Sequence, residues 1–571
     1  MKTTEHTFKS FDGTELFYRR WKPKRASGKT LIIFHRGHEH SNRWDETVKT
    51  LQLEDVTVFA WDARGHGRSP GERGSAESLA VIIRDAEAFA RHLVETHAVK
   101  LEETVVLAHS VGAVIAAAWV HDFAPPLRGL ILATPAFRVK LYLPMAVPLL
   151  RLKQKLCGHG YVKSYVKARM LTHDAGQAAT YEADPAIFRQ IAVNILLDLH
   201  DTSTRLLADA GAIHVPTLML TAGADWVVRN SAPRLFFERL SSPSKRLENL
   251  PGFYHAIFHE TGREVVAEKV RRFVEESFER PQPRDSLLRA DEGGFTRSEY
   301  NRLCNPGNPV FGITRSAMKS VGRVSRGIGL GWQAGFDSGR TLDYVYENKA
   351  RGCTSIGRMI DRAYLNSIGW RGIRQRKLNL QKTLHETILK ANAAGRPIRI
   401  LDIASGPGRY VLETVRDLPE MRASVVLRDY KTENIDAARR LAAEFGLEGV
   451  TAVEGDAFDR KSLAQMDPKS TIGIVSGLFE LFPANAPVLE ALRGLADAIE
   501  PGGHLIYTNQ PWHPQLEFIA RVLCNREGKP WIMRRRTQAE MDQLVAAAGF
   551  RKVGQEIDRW GIFSVSVAER L

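Results

Sequence analysis

The sequence predicts two α/β domains in one chain. Its 571 residues are too many for one hydrophobic core, because such cores stop growing at about 250–300 residues. In both halves, short apolar segments typical of buried strands alternate with helical patterns, which predicts mostly parallel sheets covered on both faces. Two prolines in a polar segment separate the halves. We expect a first domain at 1–280, a linker at 281–297, a basic and partly helical segment at 298–394 (the preface), and a second α/β domain at 395–571.

Composition indicates which kinds of partner the protein could bind and in which cell compartment it could lie. The net charge of +15 and the isoelectric point near 9.6 favour an anionic partner, such as a membrane surface, a nucleic acid or an acidic substrate. The four cysteines have neither zinc-ligand nor disulfide-framework spacing, which fits a reducing cytoplasm. The N-terminus lacks the apolar core of a signal peptide, and the longest apolar stretch, 141–150, is too short to span a bilayer. We expect a cytoplasmic protein that contacts at most the inner face of the membrane.

The first domain begins with alternating segments around Asp12-Gly13, a hairpin signal. Buried strands follow at 31–34 and 56–61. The segment 104–119 predicts an apolar strand, a sharp turn that carries Ser110, and an apolar helix from about Val111. Small residues on either side of a serine are what such a turn requires, and a helix N-terminus behind it offers N–H groups to an oxyanion.

Five motifs occur in order along this half. They are His35–Trp44, Asp62–Ser69, Ala108–Gly112, Asp225 at the end of a strand, and His255 after the next strand. Together they resemble the monoacylglycerol lipase and lysophospholipase branch of the α/β-hydrolases. The resemblance implies that Ser110 is the nucleophile, His255 its base, and Asp225 the residue that orients the imidazole. It also implies that the backbone N–H groups of Gly37 and Val111 hold the oxyanion.

Simpler explanations exist for each motif alone. Ser110 could lie at an ordinary strand–helix junction, Asp225 in a turn and His255 on the surface. His35, His38 and His40 could suggest a metal site. Their clustering is explained by an oxyanion loop, however, and no complete set of metal ligands accompanies them, so we expect no metal. Arg36 replaces a glycine of the family, and Ala108 and Ala113 replace elbow glycines. Arg36 leaves open that this domain favours an anionic substrate, or that it is a docking module with a weak site.

A helical cap over the acyl pocket is expected at about 135–213. Between residues 138 and 169 it carries eight cations and no acid, interleaved with large apolar residues. Such a segment is typical of contact with anionic lipid, and a solvated face over an internal core is the alternative.

The preface is also basic. Residues 313–377 contain thirteen cations and four acids, with several aromatic residues among them. Helical patterns cover 352–366 and 374–392. The preface could bind nucleic acid, but no RNA-binding motif is present and lipid head groups would explain the charge equally well.

The segment 396–410 predicts a strand, a tight loop at Ser405–Gly408, and a helix. Asp402 at the strand end makes it resemble the first motif of class I S-adenosylmethionine-dependent methyltransferases. That family has a Rossmann-like fold, and four further strands and a final hairpin follow in its order. A dinucleotide ranks behind this cofactor, because Val411 stands where a small residue would be needed.

The resemblance implies a cofactor site for S-adenosylmethionine. Its members would be six residues of this sequence: Asp402, Ala404, Gly406, Gly408, Asp429 and Asp456. The glycine loop would let the backbone approach the ligand, and Asp402 would meet its ammonium group directly or through water. Asp429 would accept from the ribose hydroxyls, and Asp456 would lie near the adenine.

The methyl acceptor is not identified by the sequence. Asn509–Trp512 superficially resembles a loop of nucleic acid methyltransferases, but it follows the fifth strand instead of the fourth. The whole chain resembles bacterial fused hydrolase–methyltransferase proteins. We therefore predict a serine hydrolase of an acyl or lipid-like ester joined to an S-adenosylmethionine-dependent methyltransferase. There are two alternatives. One is a methyltransferase joined to a weakly active or non-catalytic hydrolase-fold domain, and the other is a methyltransferase that acts on nucleic acid.

Overall fold

The computed structural model describes residues 1–279 and 286–571. The chain divides into two compact units, Met1–Asp285 and Ser286–Leu571. The first part of the predicted linker, 281–285, lies outside the described residues, as does residue 280. Leu287 is buried in the second unit, where its N–H donates to Oε1 of Gln543 over 2.7 Å.

Ten strands lie in the described part of the first unit, and eight of them form one sheet in the order β1-β2-β4-β3-β5-β6-β9-β10. The strands are β1 (Lys2–Lys9), β2 (Glu15–Lys22), β3 (Thr30–Phe34), β4 (Thr57–Trp61), β5 (Thr104–His109), β6 (Gly129–Ala133), β7 (Tyr161–Lys163), β8 (Gln190–Ala192), β9 (Thr217–Ala222) and β10 (Lys245–Leu250). The pairs β1–β2 and β2–β4 are antiparallel and the other neighbours are parallel. Every residue of β3 to β6 and of β9 is buried, as the continuous apolar runs predict for a sheet covered on both faces.

The helices of this unit are α1 (Asp45–Leu51), α2 (Leu79–His97), α3 (Val111–Phe123), α4 (Ala146–Cys157), α5 (Ala175–Ala183), α6 (Val193–Asp209), α7 (Ser231–Arg239) and α8 (Arg263–Glu279). All residues of α3 from Gly112 onward are buried. The helix is apolar on every side up to Val120, and the buried His121 and Asp122 near its end are hydrogen-bonded to each other. Between β6 and β9 the chain forms α4, α5 and α6 and the small antiparallel sheet β7–β8. We call this insertion the cap.

The second unit contains a seven-stranded sheet in the order β13-β12-β11-β14-β15-β17-β16. Its strands are β11 (Arg399–Asp402), β12 (Ser424–Asp429), β13 (Val450–Glu454), β14 (Ser470–Val475), β15 (Ile499–Asn509), β16 (Phe550–Ile557) and β17 (Ser564–Arg570). The first five are parallel, and β17 runs antiparallel to both of its neighbours. The carboxyl ends of β11, β12 and β14 therefore meet at one edge.

The helices of the second unit are α9 (Phe295–Cys304), α10 (Val310–Val321), α11 (Arg326–Ala334), α12 (Gly339–Glu347), α13 (Ser355–Leu365), α14 (Ile368–Ala393), α15 (Arg409–Arg416), α16 (Thr432–Glu444), α17 (Arg460–Ala464), α18 (Asn485–Ala498), α19 (Leu516–Val522) and α20 (Gln538–Ala547). The preface is more helical than the sequence suggested, since α9 to α12 precede the two predicted helices. Its glycines serve packing: a Cβ atom at Gly331 in α11 would lie 2.3 Å from the ring of Phe336.

This architecture confirms the predicted fold class, an α/β-hydrolase fold with a cap followed by a Rossmann-like α/β unit. No helix in residues 1–279 or 286–571 has both the length and the apolar character needed to cross a bilayer.

Candidate active sites

Ser110 lies at the reversal between β5 and α3. Its backbone has φ +57° and ψ −112°, a conformation that non-glycine residues rarely adopt and that presents the side chain at the sheet edge. Its N–H donates to the carbonyl of Ala133 over 2.9 Å. Gly112 makes the reversal sterically feasible, because a Cβ atom there would lie 2.4 Å from the carbonyl oxygen of His35. Methyl groups at Ala108 and Ala113 are accommodated in buried positions.

The side chains of Ser110, His255 and Asp225 form a hydrogen-bonded chain. Nε2 of His255 lies 2.8 Å from Oγ of Ser110, and its Nδ1 lies 2.8 Å from Oδ2 of Asp225. Burial alone would raise the pKa of the Asp225 carboxyl, but the imidazole and the N–H groups of Val227 and Val228 outweigh burial and lower it. Asp225 is therefore held as an anion that favours the Nδ1–H tautomer of His255.

His109, directly before Ser110, supports the histidine. Its Nε2–H donates to the carbonyl of His255 over 3.1 Å, and the hydroxyl of Thr134 donates to the same oxygen over 3.2 Å. Burial, with the nearby His255, places the pKa of His109 well below its ordinary value. A neutral His109 thus fixes the backbone that carries the catalytic candidate.

The predicted oxyanion donors, Gly37 and Val111, are neighbours in the structure. A Cβ atom at Gly37 would lie 3.1 Å from Cγ2 of Val111, and both residues line the same cavity as Ser110. His35 holds the loop: its Nε2 accepts from the N–H of Ala63 over 3.0 Å, so its Nδ1 donates to the carbonyl of Arg36 over 2.7 Å.

Arg36 is buried beside this loop and forms an ion pair there. Its guanidinium lies 2.9 Å from the carboxylate of Glu39 and 4.8 Å above the ring of Tyr181. Arg43 also donates to Glu39, over 2.9 Å. Burial tends to raise the pKa of Glu39, but Arg36, His259 and Arg43 lower it overall. Arg36 is therefore held in an ion pair near Ser110, but it shares Glu39 with Arg43, so these three side chains together carry one net positive charge.

The other two histidines of this loop have local roles. Nε2 of His40 lies 3.0 Å from Oδ2 of Asp184. His38 is half-buried in the cavity wall, and desolvation, followed by the charge of Arg36, lowers its pKa to about 4. Within residues 1–279 and 286–571, no group of three or more His, Cys, Asp or Glu side chains could hold a metal ion.

A cavity of about 480 Å³ opens at Ser110 and extends under the cap. Most of its wall is apolar. Representative side chains are Ile82, Ile115, Leu149, Leu150, Ile195 and Leu199. Such a volume is in the range of small-molecule sites, about 300–1,000 Å³.

In the second unit, the loop after β11 and the end of β12 are bonded to each other. The N–H of Gly406 donates to Oδ2 of Asp429 over 2.9 Å. Oδ1 of Asp429 accepts from Nδ2 of Asn434 and from the N–H of Lys431, each over 3.0 Å. Gly406 and Gly408 have φ of +53° and +68°. Gly408 also packs closely, since a Cβ atom there would lie 2.5 Å from Leu427.

These residues line a cavity of about 560 Å³. Five of the six predicted cofactor residues lie in its wall: Ala404, Gly406, Gly408, Asp429 and Asp456. Asp456 is exposed, and its Oδ1 accepts from the N–H of Phe458 over 2.9 Å.

Asp402 is placed differently from these five. It is fully buried, is absent from the cavity wall, and accepts a short hydrogen bond from the hydroxyl of Tyr410. Burial raises its pKa to about 7, against the opposing effects of Tyr410 and the N–H of Ala404. In this structure Asp402 supports Tyr410 and the loop from behind.

Several residues of the cavity wall come from the preface and from the segment after α19, which sequence analysis did not assign to the site. Asp343 of α12 pairs with Arg409. Arg526 lies 3.0 Å from Asp337 and donates to the hydroxyl of Tyr430 over 2.9 Å. No motif marks these positions, so only the folded chain could identify them.

The raised pKa of Asp402 predicts a pH-dependent stability. Between about pH 4 and pH 7 the folded protein keeps the proton that the unfolded chain has lost, so this group's contribution to stability falls as pH rises through that window. We expect Asp402→Asn to gain stability relative to wild type by a few kcal/mol from pH 4.5 to pH 8, at about 1.4 kcal/mol per pKa unit. Urea unfolding of both proteins at each pH measures this; a difference that stays constant with pH would contradict it.

Comparisons with known proteins agree with both units. A family model described as "Putative methyltransferase" matches residues 270–570, more than half of the chain. A second model, described as "Serine aminopeptidase, S33", matches residues 25–262.

The chain is 48% identical over 575 residues to "Uncharacterized protein YnbC" of Escherichia coli K12, covering 99% of this chain and 98% of the relative. It is 24% identical over 273 residues to the monoacylglycerol lipase of Mycolicibacterium smegmatis, covering 48% of this chain and 96% of the lipase. A solved structure of a soluble variant of Saccharomyces cerevisiae monoglyceride lipase, in complex with a substrate analogue, covers 48% of this chain and 95% of that chain at 18% identity, with a TM-score of 0.44. The two resemblances inferred from motifs are thus confirmed: the chain belongs to this methyltransferase family, and its first half is related to the monoglyceride lipases.

Proposed function

We propose that the first unit is a serine hydrolase of acyl esters. The observation that carries this proposal is the chain of two 2.8 Å contacts from Ser110 through His255 to Asp225. Such a chain lets the hydroxyl act as a nucleophile, because the imidazole accepts its proton and the aspartate stabilises the imidazolium that forms.

The reaction would proceed in two steps. Oγ of Ser110 attacks the ester carbonyl as its proton passes to Nε2 of His255, which then protonates the leaving alcohol. The N–H groups of Gly37 and Val111 stabilise the oxyanion, and a water activated by His255 releases the acyl group as a carboxylic acid. Because Glu39 already pairs with Arg36, we assign the stabilisation to these N–H groups and not to the guanidinium.

The apolar wall of the 480 Å³ cavity favours a substrate with an acyl chain. The relatives named monoacylglycerol lipase and monoglyceride lipase agree with this class. We therefore infer a lipid-like ester as the substrate.

We also propose that the cap contacts anionic membranes. On α4, Leu149, Leu152 and Leu156 are 52%, 53% and 74% exposed. Arg151 and Lys155 lie between them on the same helix. Exposed apolar side chains with basic neighbours insert at the interface while their charges meet lipid head groups.

For the second unit, we propose that S-adenosylmethionine binds in the 560 Å³ cavity and that the unit transfers its methyl group. When bound, the cofactor supplies a methyl group on a sulfonium. The residues present fit it: Gly406 has no neighbour within 4 Å of a built Cβ position, so ligand atoms could approach its backbone. Asp429 holds Gly406 and offers carboxylate oxygens to a diol. Asp456 and Phe458 line the same cavity, which suits a polar aromatic base.

Ser110→Ala should abolish labelling by a fluorophosphonate probe and reduce hydrolysis of a monoacylglycerol by about 10⁴-fold or more. The matched control is Ser75→Ala, because Ser75 is a buried serine of the same cavity wall, and it should label like wild type. Gel fluorescence and release of free fatty acid measure the two effects. A wild-type chain that neither labels nor hydrolyses esters would favour the docking alternative.

Replacing Leu149, Leu152 and Leu156 by serine should reduce sedimentation with phosphatidylglycerol vesicles, because the apolar insertion is lost while the charges remain. Added salt should weaken the wild-type interaction only in part. Val265→Ser is the control, since Val265 is 49% exposed on α8, outside the cap. Equal binding of wild type to phosphatidylcholine and phosphatidylglycerol vesicles, or to neither, would refute the membrane contact.

Asp429→Ala should weaken S-adenosylmethionine binding by about ten- to a hundredfold, because hydrogen bonds to charged groups contribute roughly 1.5–3 kcal/mol. The control is Asp436→Ala, whose carboxylate pairs with Arg439 of the same helix and lies outside the cavity wall. Isothermal titration calorimetry of the full chain measures both. Absence of binding by folded wild-type protein, or equal affinity of the Asp429 variant, would show that the site is assigned wrongly.

A further inference from the structure

A second cavity of about 340 Å³ adjoins the cofactor cavity of the second unit. The two share six wall residues: Asp337, Leu342, Arg376, Gly477, Leu481 and Trp531. Helices α13 and α14 of the preface, α19, and the loop after β15 supply most of the remaining wall. A molecule in this cavity therefore lies next to whatever occupies the cofactor cavity.

The wall of this second cavity is mainly apolar and aromatic. Its large members include Trp370, Ile373, Phe518, Ile519, Trp531 and Phe563. Its volume is at the lower end of the range for small-molecule pockets, about 300–1,000 Å³. The cavity thus suits a compact apolar body, such as a medium-length acyl chain or a ring system.

Hydrogen-bond donors lie among these apolar side chains. Arg376 and Gln510 are both buried and line the cavity. Within the described residues, neither Nε of Arg376 nor Nε2 of Gln510 has a hydrogen-bond partner. Nε1 of Trp531 also has no hydrogen-bond partner among the described residues. Since unmade buried hydrogen bonds are costly, these donors favour a ligand that brings acceptor oxygens.

His513 also lines this cavity, where it can donate a hydrogen bond but cannot serve as a general base. Its Nδ1 accepts from the N–H of Gln515 over 3.0 Å, so its proton is on Nε2. Burial lowers its pKa to about 3, which keeps the ring neutral.

The two acids of the wall are already paired. Asp337 lies 3.0 Å from Arg526, and Glu480 lies 3.4 Å from Arg376. Both pairs keep the acidic groups compensated, while the Nε–H of Arg376 stays without a partner and can donate to a second anion.

We propose that this cavity is the methyl-acceptor site and that the acceptor is an amphipathic carboxylate, with its apolar body against the aromatic wall and its carboxylate at Arg376 and Gln510. The inference rests on the proposed methyltransferase function. A carboxylate matches the unpartnered donors and, unlike a hydroxyl or an amine, needs no base to become a nucleophile.

The transfer balances without a proton acceptor. One carboxylate oxygen forms the new C–O bond to the methyl carbon, while the C–S bond of the sulfonium breaks and its electron pair stays on sulfur. The products are a methyl ester and a neutral thioether. Ester hydrolysis, the reaction proposed for the first unit, is the class of reaction that supplies such a carboxylate.

The test uses the full chain with Ser110→Ala, so that the hydrolase does not cleave the ester product. Decanoate and decanol serve as matched probes. Calorimetry measures their binding without cofactor, and transfer from radiolabelled S-adenosylmethionine measures methyl decanoate. Glu480→Gln and Gln510→Leu are made in this background, because neither residue lines the cofactor cavity; unchanged cofactor affinity then shows that each variant is folded.

Glu480→Gln removes the anion that competes for Arg376, so we expect decanoate to bind at least about fivefold more tightly and methyl transfer to persist. Gln510→Leu should weaken decanoate binding by about tenfold, with little change for decanol. Decanoate bound in the hydrolase cavity would respond to neither substitution.

Three results would overturn the inference. One is decanoate binding that neither variant changes. Another is cofactor binding without any methyl transfer to decanoate. The third is methylation of decanol that Glu480→Gln abolishes, since Glu480 would then be a base for a hydroxyl acceptor. A folded chain that binds no cofactor would instead refute the proposed function, and the inference with it.

Discussion

Both candidate sites depend on one constraint, the tight reversal from a central parallel strand into the helix behind it. In the first unit β5 turns into α3 at Ser110 with a positive φ. In the second, β11 turns into α15 through Gly406 and Gly408, again with positive φ. Neighbouring parallel strands end at the same edge, so each reversal opens a crevice that later strand ends complete. Asp225 and Asp429 are such strand-end groups. The cap and the preface supply much of the remaining cavity walls.

Buried, ion-paired charge is the second feature of this chain. Arg534, Arg535 and Arg536 are consecutive and fully buried. Arg534 lies 2.6 Å from Glu540, and the other two donate to backbone carbonyls of the loops after β14 and β15. Because these loops border the second cavity of this unit, the arginines fix its shape. Breaking one such contact would leave a charge without a partner, which costs more than the contact contributes. These three arginines are therefore structural and are not part of a charged surface.

The sequence was sufficient to predict the candidate residues at the strand ends, but not the residues that form the cavity walls. Ser110, Asp225 and His255 could be selected because each follows a predicted strand in an order that a known family shares. The wall residues of the preface have no comparable signal. The spacing of apolar residues predicts that a short helix buries one face, but not which cavity that face lines. Asp402 shows another limit: its position in the motif was recognisable, but its burial behind Tyr410 depends on the fold. From the sequence, Arg36 left open a weak hydrolase site. Its ion pair with Glu39 is seen only in the structure, because spacing along the chain does not identify the two residues as partners.

The two proposed reactions place opposite electrostatic demands on their cavities. Ester hydrolysis creates charge, a negative oxyanion and a positive imidazolium, so the first unit surrounds Ser110 with fixed N–H groups and an ionised Asp225. Methyl transfer from a sulfonium to a carboxylate removes charge, because a cation and an anion become two neutral products. A dispersed transition state of that kind gains nothing from strong local charges and is favoured by an apolar surround, which Trp370, Trp531 and Phe563 provide. The cost then lies in bringing the anion into the cavity, and that is the step for which a buried guanidinium at Arg376, only partly satisfied by Glu480, is suited.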